Sequence, residues 1–114
     1  MNYRSLGNSG LKVSEISLGS WTTLGGSVAS GDATPIVRRA FELGINLFDT
    51  ADVYVKGAAE TALGAAIREL PRGELVIATK CMGRVWEGPL GRGLSCKHIF
   101  DALDASLKRS VTRA

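Results

Sequence analysis

Two cysteines, one histidine and three prolines leave this chain short of the residues on which several protein classes depend. Cys81 and Cys96 form neither a metal-spaced pair nor a redox CxxC, which argues against a disulfide scaffold, a zinc module or a dithiol oxidoreductase. No metal site is expected. Both thiols read as reduced and inert, and only Cys96, after Ser95 and beside Lys97 and His98, offers a redox-sensing alternative. No apolar run approaches the ~20 residues needed to span a bilayer. The start, Met1-Asn2-Tyr3-Arg4-Ser5-Leu6-Gly7, lacks the continuous apolar core of a signal peptide. The expectation is therefore a cytoplasmic protein with no membrane partner. Strong charge of one sign is also missing: the net charge is +3 and the pI about 9.1. Arg92, Lys97, Lys108, Arg109 and Arg113 are scattered, with no aromatics interleaved, so nucleic acid is not an expected partner.

What is plentiful is glycine, with 14 residues, set between short apolar runs. Residues 3–6 and 11–14 flank Gly7-Asn8-Ser9-Gly10, a turn-rich loop that predicts a β-hairpin. A strand follows over Glu15-Ile16-Ser17-Leu18-Gly19 and ends in Ser20-Trp21. A glycine-rich loop runs from Gly25 to Gly31. Thr34 is expected to cap a first helix with Pro35 at its first position, Ile36, Val37, Ala40, Phe41 and Leu43 at helical spacing, and Gly44 as its close. A second helix is predicted from about 59 to 70, with Leu63, Ala66, Ile67 and Leu70 as its apolar stripe and Pro71 as its stop. A third begins after Ser95 and carries Ile99, Ala102, Leu103 and Leu107 on one face. The apolar strands recur about every 30 residues, the size of a βαβ unit, which implies a parallel sheet covered by helices. That spacing alone does not separate a closed barrel from an open doubly wound sheet. No linker or low-complexity stretch divides the chain, so residues 1–114 read as one domain.

The segment from Gly44 to Lys80 carries the chemistry. Gly44-Ile45-Asn46-Leu47-Phe48-Asp49-Thr50-Ala51-Asp52-Val53-Tyr54 is a short strand breaking into a turn that bears a phenol. Leu75-Val76-Ile77-Ala78-Thr79-Lys80 is a β-branched run ending on a cation. Each residue has an ordinary explanation: Asp49 as a turn organiser, Tyr54 as a packed loop aromatic, Lys80 as a solvated strand end. All three nevertheless fall at the C-terminal ends of predicted strands, the face on which barrel active sites lie. A carboxylate that orients an ammonium, and an ammonium that eases a proton from a phenol, suit acid catalysis on a carbonyl. His98, the only histidine, lies in the first turn of a helix and is not expected to be a catalytic base. Gly88-Pro89-Leu90-Gly91-Arg92-Gly93 has the wrong glycine order for a dinucleotide fingerprint.

These blocks resemble the aldo-keto reductase family, in particular the branch containing the potassium-channel β subunits and their bacterial relatives. The resemblance implies an α/β fold: an N-terminal hairpin closing the bottom of a (β/α)8 TIM barrel, followed by its first three βα units. It implies an NADP(H)-dependent oxidoreductase acting on a small-molecule carbonyl substrate. Tyr54 would be the general acid, with Lys80 its activating cation and Asp49 the residue that holds Lys80. Gly19-Ser20-Trp21-Thr22-Thr23-Leu24-Gly25-Gly26 is the second matching block, and it gives Ser20 and Trp21, with Asp49, a cofactor-binding role. Ser27 stands where relatives often carry Gln, and Cys96 where they commonly carry Arg. The full-length relatives allow a homo-oligomer.

The resemblance ends at Leu107-Lys108-Arg109, and Ser110-Val111-Thr112-Arg113-Ala114 does not follow the family pattern. A complete barrel takes about 250 residues. Strands four to eight and the family's catalytic His are not in this sequence, so the chain by itself is expected to be inactive. Three readings of different class remain. They are the N-terminal part of a carbonyl reductase, a non-catalytic remnant, and a channel-β-like subunit whose cofactor occupancy regulates a partner.

Overall fold

The segment 3–14 folds into the expected hairpin, with β1 (Tyr3–Ser5) pairing antiparallel to β2 (Lys12–Ser14). A computed structural model describes residues 1–110; Val111 to Ala114, and with them Arg113, lie outside the described residues. The Leu11 carbonyl accepts the Leu6 N–H across the turn at 3.0 Å. The hairpin is tied to the rest of the molecule by side chains. Tyr3 Oη donates to the Gly44 carbonyl at 2.7 Å. The Asn46 amide accepts from Ser14 N–H at 2.8 Å and donates to the Lys12 carbonyl at 3.0 Å. Asn46 lies just before the strand it leads into, so the hairpin sits at the N-terminal side of the sheet, away from the predicted site.

That sheet has three strands, β3 (Leu18–Gly19), β4 (Leu47–Asp49) and β5 (Val76–Ala78), in the order β3-β4-β5 and all parallel. Its helices are α1 (Ser30–Glu42), α2 (Ala58–Ile67) and α3 (Cys96–Ser110). The strand–helix alternation is the one the sequence predicts, and among the described residues no strand pairs with the outer edge of β3 or β5. The core unites Val37 and Ala40 of α1, Phe48 of β4, and Leu63, Ala66 and Ile67 of α2, with Leu24 and Leu75 from the flanking loops. Phe48 and Val37 are fully buried. Each such side chain contributes about 1.5–3 kcal/mol relative to exposure.

Two helix expectations are corrected. The first helix starts at Ser30, not after Thr34, so Pro35 lies inside it. Ala29 opens the turn by accepting the Asp32 N–H at 2.9 Å. The additional turn buries Ala33 completely beside Val37, and that packing outweighs the hydrogen bond that Pro35 cannot donate. The third helix turns a different face inward. His98, Ala102, Ser106 and Ser110 are buried, while Ile99, Leu103 and Leu107 are exposed. The reason is Gly64 of α2, whose missing side chain lets the α3 backbone at Arg109 and Ser110 come too close for any Cβ. Small residues therefore face α2 and the leucines do not.

The close of α1 follows the expectation. Gly44 adopts φ +91°, its N–H donates to the Phe41 carbonyl at 2.8 Å, and the Ile45 N–H donates to the Ala40 carbonyl at 3.0 Å. This paired pattern is the Schellman motif, in which glycine carries the left-handed conformation. Ser95 caps α3 as expected, its Oγ accepting the His98 N–H at 3.1 Å. No described helix is long and apolar enough to cross a membrane.

Candidate active site

The strand ladder continues past the ends of β4 and β5 and brings the sequence-predicted site residues together. Ser20 N–H donates to the Asp49 carbonyl at 2.9 Å, Thr50 N–H to Ala78 at 2.8 Å, and Asp52 N–H to Lys80 at 3.2 Å. Asp49 stands opposite Ala78 in the register, and Lys80, two residues further along the extension of β5, falls on the same face of the sheet. The Lys80 ammonium meets both oxygens of Asp49, Oδ1 at 2.8 Å and Oδ2 at 2.9 Å, and the Thr50 carbonyl at 2.8 Å. Three acceptors match the three N–H bonds of an ammonium, which fixes Nζ in place. The pair is partly open to solvent.

Tyr54 opens a 3-10 turn, Tyr54–Gly57, in keeping with the phenol-bearing turn that the sequence predicts. The turn brings the phenol ring under the ammonium, with Nζ 4.9 Å from the ring centroid. Burial works against the charged form of Lys80. The hydrogen-bonding Asp49 carboxylate and the Tyr54 oxygen more than offset it, so the ammonium's pKa is held above the ordinary lysine value. Trp21 stacks on Tyr54 with centroids 6.1 Å apart and planes 23° from parallel, yet it remains 70% exposed. Ser20 is buried, and its hydroxyl has no partner among the described residues. Asp49, Tyr54, Lys80 and Trp21 thus form one cluster, and Ser20 joins it through its backbone alone.

Beneath the cluster lies a buried polar network that sequence reasoning missed. Glu60 of α2 is fully buried and accepts from Thr79 Oγ1 at 2.7 Å, while Arg109 Nε of α3 binds its other oxygen at 2.7 Å. Thr79 immediately precedes Lys80, so the network anchors the strand end that carries the ammonium. A glutamate inside the small apolar run Gly57-Ala58-Ala59-Glu60-Thr61-Ala62-Leu63 was the available signal. His98 is buried outside the cluster, its Nδ1 3.0 Å from the Leu90 carbonyl and Nε2 2.8 Å from that of Cys81. It ties the loop between β5 and α3 to the helix. Cys81 is half-buried and Cys96 exposed, and neither forms a disulfide. No group of His, Cys, Asp and Glu among the described residues could hold a metal ion.

With this geometry in view, the comparisons with known proteins are specific. The sequence profile of the aldo/keto reductase family matches residues 15–114. A protein of Arabidopsis thaliana described as a probable voltage-gated potassium channel subunit beta is 46% identical over 113 residues. A protein of Oryza sativa subsp. japonica with the same description is 42% identical over 113 residues. Each match covers 96% of this chain and 34% of the relative, so the chain spans about a third of the length of these curated relatives.

Proposed function

The chain belongs to the aldo/keto reductase family, and on that premise we propose that residues 1–114 are the N-terminal part of an NAD(P)H-dependent carbonyl reductase domain built on a (β/α)8 barrel. The observation that carries this reading is the Lys80 ammonium, clasped by both Asp49 oxygens and set over the Tyr54 ring. In a reducing enzyme of this kind the nicotinamide supplies a hydride to the carbonyl carbon. Tyr54 gives its phenolic proton to the carbonyl oxygen. Lys80 favours loss of that proton by stabilising the negative charge left on the phenol oxygen. Asp49 holds Lys80 where it can do so. Two features fit a planar cofactor. The Trp21 ring offers an open face beside Tyr54, and the orphaned Ser20 hydroxyl lies at the same strand end. Trp21, Ser20 and Asp49 would hold it there. The substrate class is a small aldehyde or ketone, reduced to an alcohol.

The test is a fusion of this chain to strands four to eight of a relative, assayed for NADPH-dependent reduction of an aldehyde. Tyr54→Phe should lower turnover by about 10²–10⁴-fold, the usual weight of positioned acid catalysis, with cofactor affinity little changed. Lys80→Met should do comparable damage, Asp49→Asn somewhat less, and His98→Gln little. Full turnover in Tyr54→Phe would remove the reading.

A second reading, a channel-associated subunit in which cofactor occupancy regulates a partner, is favoured by the descriptions of the two plant relatives. Co-purification of the fusion with a potassium channel, retained in Tyr54→Phe, would separate it from simple carbonyl reduction.

A further inference from the structure

Asp52 is a charged group that the proposed chemistry leaves unused. It is 2% exposed, and neither carboxylate oxygen has a hydrogen-bond donor among the described residues. Burial, reinforced by Glu60, holds its pKa above the usual carboxylate value, with the Val53 amide, Arg109 and His98 pulling weakly the other way. A carboxylate in that state is expensive to keep unless something supplies donors to it.

Asp52 is part of the wall of a cavity of about 420 Å³, which also takes in Lys56, Arg84, Trp86 and Arg109. Pockets that hold small molecules run from about 300 to 1,000 Å³. The charges around this one are only partly spent. Arg109 is committed to Glu60. Arg84 donates to the Trp86 and Gly88 carbonyls at 3.3 and 3.0 Å, which fixes its plane without neutralising its charge. Lys56 has no ion-pair partner among the described residues. Two cations lacking anions therefore share the cavity with a carboxylate lacking donors, and Glu87 adds a second negative charge to its lining. A simple anion would meet Asp52 and Glu87, whereas a simple cation would meet Lys56 and Arg84. Only a ligand with both charges close together satisfies the set.

We propose that this cavity binds a free zwitterionic α-amino acid with an apolar side chain, its ammonium on Asp52 and its carboxylate on Arg84 and Lys56. The apolar side chain rests against Trp86, with Val53 and Val85 completing the wall. The site is separate from the carbonyl chemistry and uses none of its groups. It lies close by, however, since the Asp52 amide bonds the Lys80 carbonyl.

The test titrates the full chain with L-phenylalanine and follows tryptophan fluorescence, to which Trp86 contributes directly. Saturable binding at millimolar ligand or better is expected. N-acetyl-L-phenylalanine, without the ammonium, and L-phenylalanine amide, without the carboxylate, should each bind at least about tenfold more weakly. Asp52→Asn and Arg84→Gln should weaken phenylalanine to the same degree while the far-UV circular dichroism is unchanged. Undiminished binding of the N-acetyl compound would make this an anion site, and undiminished binding of the amide a cation site; either overturns the proposal, as does the absence of saturation with phenylalanine. The two analogues are compared on the unaltered chain, so the outcome does not depend on either variant folding.

Discussion

Asp52 and Val55 show how much of this structure is decided by single residues against their own preferences. A folded-state pKa raised above the unfolded value means that the native state binds the Asp52 proton more tightly. Its contribution to stability is then favourable below the unfolded carboxylate value and is lost as pH rises through the folded one. Asp52→Asn is expected to raise stability at pH 7 by about 1–3 kcal/mol, the usual cost of an unsatisfied buried group. The gain should shrink toward pH 4, and thermal unfolding at the two pH values measures the difference. Among the described residues, Val55 and Lys56 are the non-glycine residues with positive φ, at 50° and 54°. Such a conformation costs a branched residue about 1–2 kcal/mol. Val55→Asn, which tolerates it, should therefore raise the melting temperature by a few degrees. The placement of Asp49, Tyr54 and Lys80 at strand ends and a turn was readable from the sequence because strand and turn signals are local. Asp52 and Glu60 were not legible. The burial of both is decided by tertiary packing; Glu60 shows in the sequence only as a glutamate in a small apolar run, and its partners Thr79 and Arg109, 19 and 49 positions away, are encoded by no local pattern.

At the scale of elements, local signals and packing divided the outcome. The hairpin, the Gly44 close of α1 and the Ser95 cap of α3 were readable because turn and cap chemistry is local. The start of α1 and the buried face of α3 were misread because both depend on a neighbouring helix. Periodicity grouped Ile99, Ala102, Leu103 and Leu107 on one face, of which only Ala102 is buried, and it could not say which side α2 would receive. The Gly64 crossing makes that choice. Gly64→Ala should destabilise the protein by about 1–3 kcal/mol through overpacking against Arg109 and Ser110, whereas Gly73→Ala, where a Cβ meets nothing within 4 Å, should change little. Urea denaturation of the two variants provides the comparison.

For the molecule as a whole, the edges of β3 and β5 and the exposed Ile99, Phe100 and Leu103 of α3 form surfaces of the kind that pair with other chains. The isolated chain is expected to elute in size-exclusion chromatography as species larger than a monomer. Ile99→Lys combined with Leu103→Glu should shift it toward a monomer without loss of helical signal, and a monodisperse monomer of the unaltered chain would refute the expectation. The ladder that brings Lys80 to Asp49 has a further, kinetic meaning. Every acceptor of the ammonium comes from β4 or the residue after it, while Lys80 itself rides on the extension of β5. The ion pair is therefore made in the same event that zips these two strands together and undone in the event that opens them. Opening of the sheet between β4 and β5 therefore separates the Lys80 ammonium from all three of these acceptors at once.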